Sequence, residues 1–249
     1  MYTNVDGQNI YFDVSGDIAD NLPVVYIHGA GKTHLVWKNQ MNISIPGYVQ
    51  VAPDLPGHGK SEGSGFNNID DYTDFVLKFL KSLQKEKMIL AGQSMGGAIT
   101  INFALKYPEF LKGIILIGTG AKLRVKDEIL QEAKEGKSYF EKAYSKKTAK
   151  TIIEAAEKDF NETEPLVRYY DFVACNIFNK MEDISNIDVK TLIICGIDDE
   201  LTPLKYSEYL HRKIRGSILI TVPDAGHMVM WENHSKVNSK IIEFIEEIK

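Results

Sequence analysis

A serine between two glycines stands out in this 249-residue chain, because Ser94 lies within the run GQSMG at residues 92–96. The apolar run KMILA ends just before it, and a pattern of helical period begins near Met95. A serine at such a strand-to-helix turn has a strained backbone, and flanking glycines leave room for neighbouring chain. The spacing G-x-S-x-G in this context therefore predicts that Ser94 is a nucleophile.

A serine hydroxyl is a weak nucleophile at neutral pH, so it needs a general base and a carboxylate to orient that base. The sequence offers both, each directly after an apolar, strand-like run. Asp198 and Asp199 follow TLIIC, and His227 ends the segment PDAGH that follows SILITV. Open α/β sheets place catalytic groups at the carboxyl ends of strands, so we predict His227 as the base and one of the two aspartates as its partner.

The elements that must position these side chains are visible as alternating patterns. Short apolar runs rich in β-branched residues predict strands at 23–27, 48–52, 87–91, 113–117, 189–195 and 217–222. Their nearly continuous apolar character is typical of parallel strands covered on both faces. Segments of helical period lie between several of them, at 70–83, 95–107, 204–214 and 235–248. This alternation predicts an α/β fold with a mostly parallel, doubly wound sheet.

Two parts of the chain depart from this alternation. Residues 2–14 alternate apolar and polar side chains around Asp6-Gly7, which predicts an antiparallel hairpin. Between 120 and 188 helix-like stretches replace strands, with Pro165 at a boundary, so we predict a helical insertion there and a core domain formed by 1–119 and 189–249. The segment 166–181 carries more apolar surface than one exposed helix needs, so it should dock on the core, line a cavity, or both.

Five segments in order along the chain resemble the α/β-hydrolase superfamily. They are VVYIHGAG at 24–31, DLPGHGKS at 54–61, the Ser94 turn, and the two loops that carry the aspartates and His227. The order Ser, Asp, His is also the order of that fold. The resemblance is to capped serine esterases and lipases, of the carboxylesterase or monoacylglycerol-lipase-like kind. It implies that the insertion is a cap or lid.

The resemblance also bears on which aspartate partners His227. Similar proteins commonly show Gly-x-x-Asp-x-x-x-Pro after this strand, and Gly196 and Pro203 place Asp199 at the matching position. Adjacent residues in an extended turn point in different directions, so only one should reach the imidazole. We therefore expect Asp199 as the triad acid, with Asp198 as the alternative.

Acyl transfer also places negative charge on a carbonyl oxygen, which backbone N–H groups can hold. By resemblance, the oxyanion hole consists of the amides of Ala30 and Met95. The residue before the nucleophile is Gln93, where similar proteins frequently have histidine.

The remaining histidines are expected to have other roles. By resemblance, His28 and His58 support loops near the oxyanion region. We expect His34 at the entrance of the pocket, and His211 and His234 on solvent-facing helix surfaces.

Composition and motifs exclude several classes of function. The net charge is −5, with 29 Lys and Arg against 34 Asp and Glu and no basic run, which argues against a nucleic-acid partner. No targeting segment or apolar run long enough for a membrane span is found. Two cysteines, Cys175 and Cys195, form no disulfide framework, so a cytoplasmic location is expected.

A second motif must be distinguished from a nucleotide site. The run GAGKT at 29–33 looks like the end of a phosphate-binding loop, but the required glycine at position 26 is Tyr26. No dinucleotide fingerprint or paired-cysteine metal motif occurs, so we expect no cofactor.

The sequence thus predicts a serine hydrolase for a small-molecule ester, thioester or related acyl bond, with a small-to-medium hydrophobic substrate. Three alternatives stay open on the same fold: a prolyl aminopeptidase, a C–C bond hydrolase and a low-turnover small-molecule receptor. The aminopeptidase ranks lower because the acidic residues of the insertion are matched by lysines. The oligomeric state is left open.

Overall fold

Eight strands form one sheet in the computed structural model, which describes residues 1–135, 143–154 and 163–249. The strands are β1 (Tyr2–Val5), β2 (Gln8–Ser15), β3 (Leu22–Ile27), β4 (Tyr48–Pro53), β5 (Met88–Gln93), β6 (Leu111–Ile117), β7 (Thr191–Gly196) and β8 (Ile218–Val222). Their spatial order is β1-β2-β4-β3-β5-β6-β7-β8. Strands β3 to β8 run parallel, while β1 and β2 are antiparallel to their neighbours. The predicted mostly parallel sheet is confirmed.

The hairpin of β1 and β2 forms where the sequence predicts it. Tyr2 lies opposite Tyr11, and Val5 opposite Gln8. Asp6 and Gly7 have φ values of 50° and 85°. Two successive residues with positive φ make the tight turn whose twist matches that of antiparallel strands.

Helices connect the parallel strands and cover both faces of the sheet. They are α1 (Ile69–Ser82), α2 (Met95–Lys106), α3 (Asp127–Lys134), α4 (Pro165–Ile177), α5 (Leu204–Lys213), α6 (Val229–Glu232) and α7 (His234–Glu247), with a further helical stretch described at 150–154. Helix α1 shows how the sequence sets a boundary: the Asn68 side chain accepts a hydrogen bond from the Asp71 amide and caps its first turn. Its apolar stripe, including Phe75 and Phe79, is buried.

Alternate side chains of the central strand belong to two apolar layers. Leu90 of β5 packs in the layer that includes α1 and α2, whereas Ile89 packs in the layer that includes Val237 and Ile241 of α7. Burial of both faces explains why the parallel strands are apolar at nearly every position.

Helix α4 packs its apolar side on the core. Phe172, Cys175 and Phe178 belong to the same apolar layer as α1 and α2, and Phe172 and Cys175 also line a cavity. The segment 166–181 therefore both docks on the core and lines a cavity, as expected. The predicted insertion at 120–188 includes residues 136–142 and 155–162, which lie outside the described residues. Among the described residues, no helix combines the length and apolar character required to cross a bilayer.

Candidate active site

Ser94 occupies the turn between β5 and α2 with φ 54° and ψ −114°, in a region that non-glycine residues rarely adopt. Two hydrogen bonds to residues at the end of β6 hold this backbone in place. The Ser94 amide donates to the carbonyl of Ile117 at 3.0 Å, and the Thr119 hydroxyl donates to the Ser94 carbonyl at 2.8 Å. The end of β6 thus maintains the strained turn.

The glycines that flank Ser94 are required by close backbone approach. A Cβ atom at Gly92 would lie 2.0 Å from the carbonyl oxygen of Gly96. A Cβ atom at Gly96 would lie 2.1 Å from the carbonyl oxygen of Ile27 in β3. Both distances are far below van der Waals contact, so the G-x-S-x-G spacing reflects the packing of α2 against β3 and β5.

His227 and Asp199 meet at the carboxyl ends of β8 and β7. His227 Nδ1 lies 2.8 Å from Asp199 Oδ2, and both side chains are buried. The Thr202 hydroxyl donates to the same carboxylate oxygen at 2.7 Å, and the amides of Leu201 and Thr202 donate to Oδ1 at 2.9 and 2.8 Å. Since Nδ1 faces a carboxylate, it carries the hydrogen, and Nε2 holds a lone pair that can accept a proton.

Burial alone would raise the pKa of the Asp199 carboxyl, but the His227 charge and the hydrogen bonds from His227 and Thr202 outweigh it. The net effect holds the pKa of Asp199 below its ordinary value. The neighbouring Asp198 points elsewhere: its carboxylate accepts a hydrogen bond from the Ser145 hydroxyl at 2.7 Å. Of the two adjacent aspartates, Asp199 contacts the imidazole.

Ser94 and His227 line one cavity of about 200 Å³. Ala30 lines it too, while Met95 begins α2 directly after Ser94 and is buried. Within the part of the chain that the structure describes, neither the Ala30 amide nor the Met95 amide is bonded to an acceptor. Both are therefore available as donors next to Ser94.

The walls of this cavity are mixed in character. Apolar side chains from the segment after β6 and from α4 form much of them, including Leu123, Val125 and Phe172. Charged side chains also contribute: Lys32, Arg124, Lys126 and Glu200. The cavity thus combines apolar walls with three cations and one carboxylate.

Gln93 holds the loop of His227, a role that the sequence does not reveal. Its side-chain amide donates to the His227 carbonyl at 3.3 Å. A Cβ atom at Gly29 would lie 2.3 Å from Gln93 Oε1, so this side chain fills the space beside the end of β3. The position of Gln93 directly before Ser94 is the feature of the sequence that points to a role near the site.

Asp171 of α4 is a buried carboxylate that connects three other parts of the chain, and the sequence does not predict this role. Its side chain is 0% exposed. It accepts hydrogen bonds from the Gly31 amide at 2.7 Å, from His58 Nε2 at 2.8 Å and from the Tyr72 hydroxyl at 2.6 Å. It therefore joins α4 to the loop of Ala30, to the His58 loop and to α1. The signal was one carboxylate within the apolar run YYDFVAC.

The partners of His58 and His28 define their protonation. Both ring nitrogens of His58 face acceptors, the Pro56 carbonyl at 3.0 Å and Asp171, so His58 is an imidazolium. Burial lowers the pKa of His58, but the Asp171 charge and hydrogen bond more than reverse this, and the net pKa is raised. His28 instead accepts a bond from the Leu55 amide, and burial together with the His58 charge lowers its pKa to about 3. Both support loops, as expected.

The expectation for His34 is wrong. Its side chain is buried and does not line the cavity, because His34 Nδ1 lies 2.8 Å from Asp54 Oδ1. The same carboxylate accepts the backbone amides of His34 and Lys60, so it organises this loop from within. His211 and His234 are exposed, as predicted.

Glu232 ties the His227 loop to residues 143–148. Its carboxylate accepts hydrogen bonds from the Gly226 amide at 2.9 Å and the Ser145 amide at 2.8 Å, and from the Thr148 hydroxyl. Burial raises the pKa of Glu232, although these hydrogen bonds counteract it. Across the described ranges, no three His, Cys, Asp or Glu side chains converge on a point where they could hold a metal ion.

Known proteins share this fold and align with most of this chain. Residues 23–153 match the family described as alpha/beta hydrolase fold, and residues 176–249 match that described as TAP-like protein. The chain belongs to the α/β-hydrolase superfamily and is a hydrolase of that fold.

Three similar proteins differ in their activities. A solved structure described as a thermophilic esterase is 32% identical, with a TM-score of 0.84 and coverage of 100% of this chain and 97% of its own. The proline iminopeptidase of Saccharolobus solfataricus is 27% identical, covering 99% of this chain and 92% of its own length. The 2-hydroxy-6-oxo-2,4-heptadienoate hydrolase of Pseudomonas putida is 25% identical, covering 93% and 94%.

Proposed function

We propose that this protein is a serine hydrolase that cleaves carboxylic esters or related acyl bonds of small-to-medium hydrophobic substrates. The observation that carries this is the 2.8 Å contact of His227 Nδ1 with Asp199, combined with the placement of His227 and Ser94 on one cavity. A polarised base that lines the same cavity as a serine on a strained turn is the arrangement that nucleophilic acyl transfer requires.

In the first half-reaction, His227 Nε2 takes the hydroxyl proton as Ser94 Oγ attacks the carbonyl carbon. The bond to the alcohol oxygen then breaks, and His227 returns the proton to that oxygen. In the second half-reaction, water attacks the acyl-enzyme, gives its proton to His227, and Ser94 leaves with that proton. Asp199 holds the imidazole in the required tautomer and stabilises its positive charge.

The amides of Ala30 and Met95 would hold the oxyanion of each tetrahedral intermediate. Their lack of other acceptors in the described chain supports this role. One such donor is typically worth about 10²–10³ in rate. We also propose that residues 120–188 act as a cap, because Leu123 and Phe172 from this range line the cavity. A reducing, cytoplasmic location is supported by Cys175 and Cys195, which are free and buried.

Ester cleavage ranks first because the 32% identical relative is described as an esterase and apolar side chains form much of the cavity wall. One observation favours an aminopeptidase: Glu200 lines the cavity and could bind a substrate amine. However, Lys32, Arg124 and Lys126 line the same cavity, and three cations disfavour an ammonium group there.

The test is hydrolysis of p-nitrophenyl esters from acetate to a long acyl chain. Ser94→Ala should abolish turnover, and the matched control Ser185→Ala, at an exposed position in the short 3-10 helix Ile184–Asn186, should not. A phosphonate probe should add its mass to the Ser94 peptide of the wild type only. If the wild type is inert on every ester, the proposal fails, and proline p-nitroanilide and vinylogous diketones then test the aminopeptidase and C–C hydrolase alternatives.

A further inference from the structure

A groove of about 460 Å³ adjoins the reaction cavity and carries four cationic side chains. These are Lys122, Arg124, Lys205 and Arg212. Among the residues that line it in the described chain, none is acidic. Arg124 and Tyr206 line both the groove and the reaction cavity, so the two spaces share a wall.

The fold assembles these charges from two separate parts of the chain. Lys205 and Arg212 are seven residues apart on α5, which places them on one face of that helix. Lys122 and Arg124 follow β6 two residues apart, and Lys122 is in a β-bridge with Asn179. Alternate residues of an extended segment share a side. No basic run is therefore visible in the sequence.

Among the described residues, the four cations have no partner of opposite charge. None forms an ion pair with a carboxylate within residues 1–135, 143–154 and 163–249. The protein as a whole carries a net charge of −5, with more acidic than basic residues. Four like charges around one concave space create a positive potential that attracts anions.

Tyr206 gives the boundary between the two spaces a defined shape. A Cβ atom at Gly120 would lie 2.7 Å from Tyr206 Cδ2, so the tyrosine ring packs directly on this part of the backbone. The neighbouring Tyr209 hydroxyl donates to the Met181 carbonyl at 3.0 Å, which anchors the groove side of α5. Tyr206 and Tyr209 thus line the groove together with the four cations.

We infer that this groove is a subsite for an anionic group, a carboxylate or a phosphate, on the substrate whose scissile bond lies at Ser94. Arg124 and Arg212 offer planar forks that match either group, and the two lysines add point charges. This inference rests on the proposed function and narrows it. The substrate is an acyl compound with an apolar body and a negatively charged end remote from the reacting carbonyl.

The test uses pairs of substrates that differ only in charge. One member is a p-nitrophenyl half-ester of a straight-chain dicarboxylic acid with its far carboxylate free, and the other carries a methyl ester there. At the best chain length we expect kcat/KM to be about tenfold higher for the charged member, because several cations act together. A second series with a far phosphate monoester distinguishes the two anions. The preference should decline as salt rises.

The Lys205→Gln/Arg212→Gln variant should bring the charged-to-neutral ratio close to one. The matched control is Lys87→Gln/Lys112→Gln, which removes two exposed cations at the amino ends of β5 and β6, opposite the carboxyl ends that carry the site. This control should keep both the ratio and the activity of the wild type. A general effect of net charge would instead lower the ratio equally in both variants and would overturn the inference.

Binding is measured separately from turnover by calorimetric titration of Ser94→Ala with the same substrate pairs. The charged member should bind about tenfold more tightly, and the α5 variant should remove this difference. If that variant does not fold, Lys122→Gln provides the same comparison. A wild-type ratio within about twofold of one at every chain length, or a ratio that survives in the α5 variant, overturns the subsite. If the wild type does not turn over the neutral esters but Ser94→Ala still binds the charged member more tightly, only the proposed ester reaction is refuted.

Discussion

Replacing Asp171 by asparagine should weaken both the fold and the reaction. Asp171 is fully buried and accepts three hydrogen bonds, from Gly31, His58 and Tyr72. An asparagine keeps one acceptor oxygen, but its NH₂ group must face at least one of these donors. The His58 imidazolium then loses its counter-charge within the protein interior.

The magnitude follows from these contacts. Removing one partner of a buried ion pair typically costs about 3–5 kcal/mol. We expect Asp171→Asn to lose this amount of unfolding free energy at pH 5.5. Tyr72→Phe, which removes one hydrogen bond to a charged acceptor, should cost about 1.5–3 kcal/mol. The exposed Asp188→Asn serves as a control and should change the unfolding free energy by less than about 0.5 kcal/mol.

The loss of unfolding free energy in Asp171→Asn should become smaller as the pH rises. Asp171 raises the pKa of His58, so the ion pair contributes fully below about pH 6.5, the ordinary histidine value. This contribution is lost as the pH rises through the raised pKa of the folded protein. Urea unfolding of wild type and Asp171→Asn between pH 5.5 and 9 should therefore show a difference that narrows with pH. A difference that is constant or widens would refute the ion pair.

The reaction should respond as well, because the Gly31 amide that Asp171 holds lies next to Ala30. Loss of this bond should move the proposed oxyanion donor and lower kcat by about tenfold or more, with KM changed little. At pH 9, where the stability difference is smallest, the kcat loss should remain. Full activity at pH 9 would show that Asp171 acts only through folding.

Three further outcomes are expected. Asp199→Asn should lower kcat/KM by about 10⁴ because the imidazole loses its tautomer, whereas Asp198→Asn should lower it by less than about tenfold, and equal losses in ester assays would contradict the assignment. Gly96→Ala should cost several kcal/mol in urea unfolding, since its Cβ would lie 2.1 Å from the Ile27 carbonyl, and wild-type stability would contradict the close approach. Because the pKa of Asp199 is lowered, this carboxylate should add no proton to the acid limb of kcat/KM, and a limb with a slope of two protons would contradict this.

The sequence predicts well those features that are encoded locally. The parallel strands are apolar at nearly every position because both faces are covered, and the glycines around Ser94 mark backbone contacts between adjacent elements. The preference for Asp199 over Asp198 remains a proposal about catalysis, but the contact that it requires is present. These features are predictable because they depend on residues close together in the sequence or on the ends of neighbouring strands.

Contacts between distant segments were not predictable in this way. Asp171 accepts a hydrogen bond from Gly31, which lies 140 positions earlier in the chain. A local sequence pattern does not indicate a contact over such a separation. The error for His34 has a similar cause: the fold brings it to the buried carboxylate of Asp54, 20 residues further along the chain, which contacts its ring and accepts a hydrogen bond from its amide. The basic groove also forms only when α5 packs beside the segment after β6.

The bonds of Glu232 have a consequence for protein engineering. One carboxylate holds the backbone of Gly226, directly before His227, and also residues Ser145 and Thr148. Ala143, at the start of the same segment, lines the cavity and accepts a bond from the Met228 amide. A designer who replaces residues 143–148 to admit larger substrates therefore also loosens the support of the histidine. Substrate range and the alignment of His227 are coupled traits, and successful redesign must supply new donors for the Glu232 carboxylate and a new acceptor for the Met228 amide.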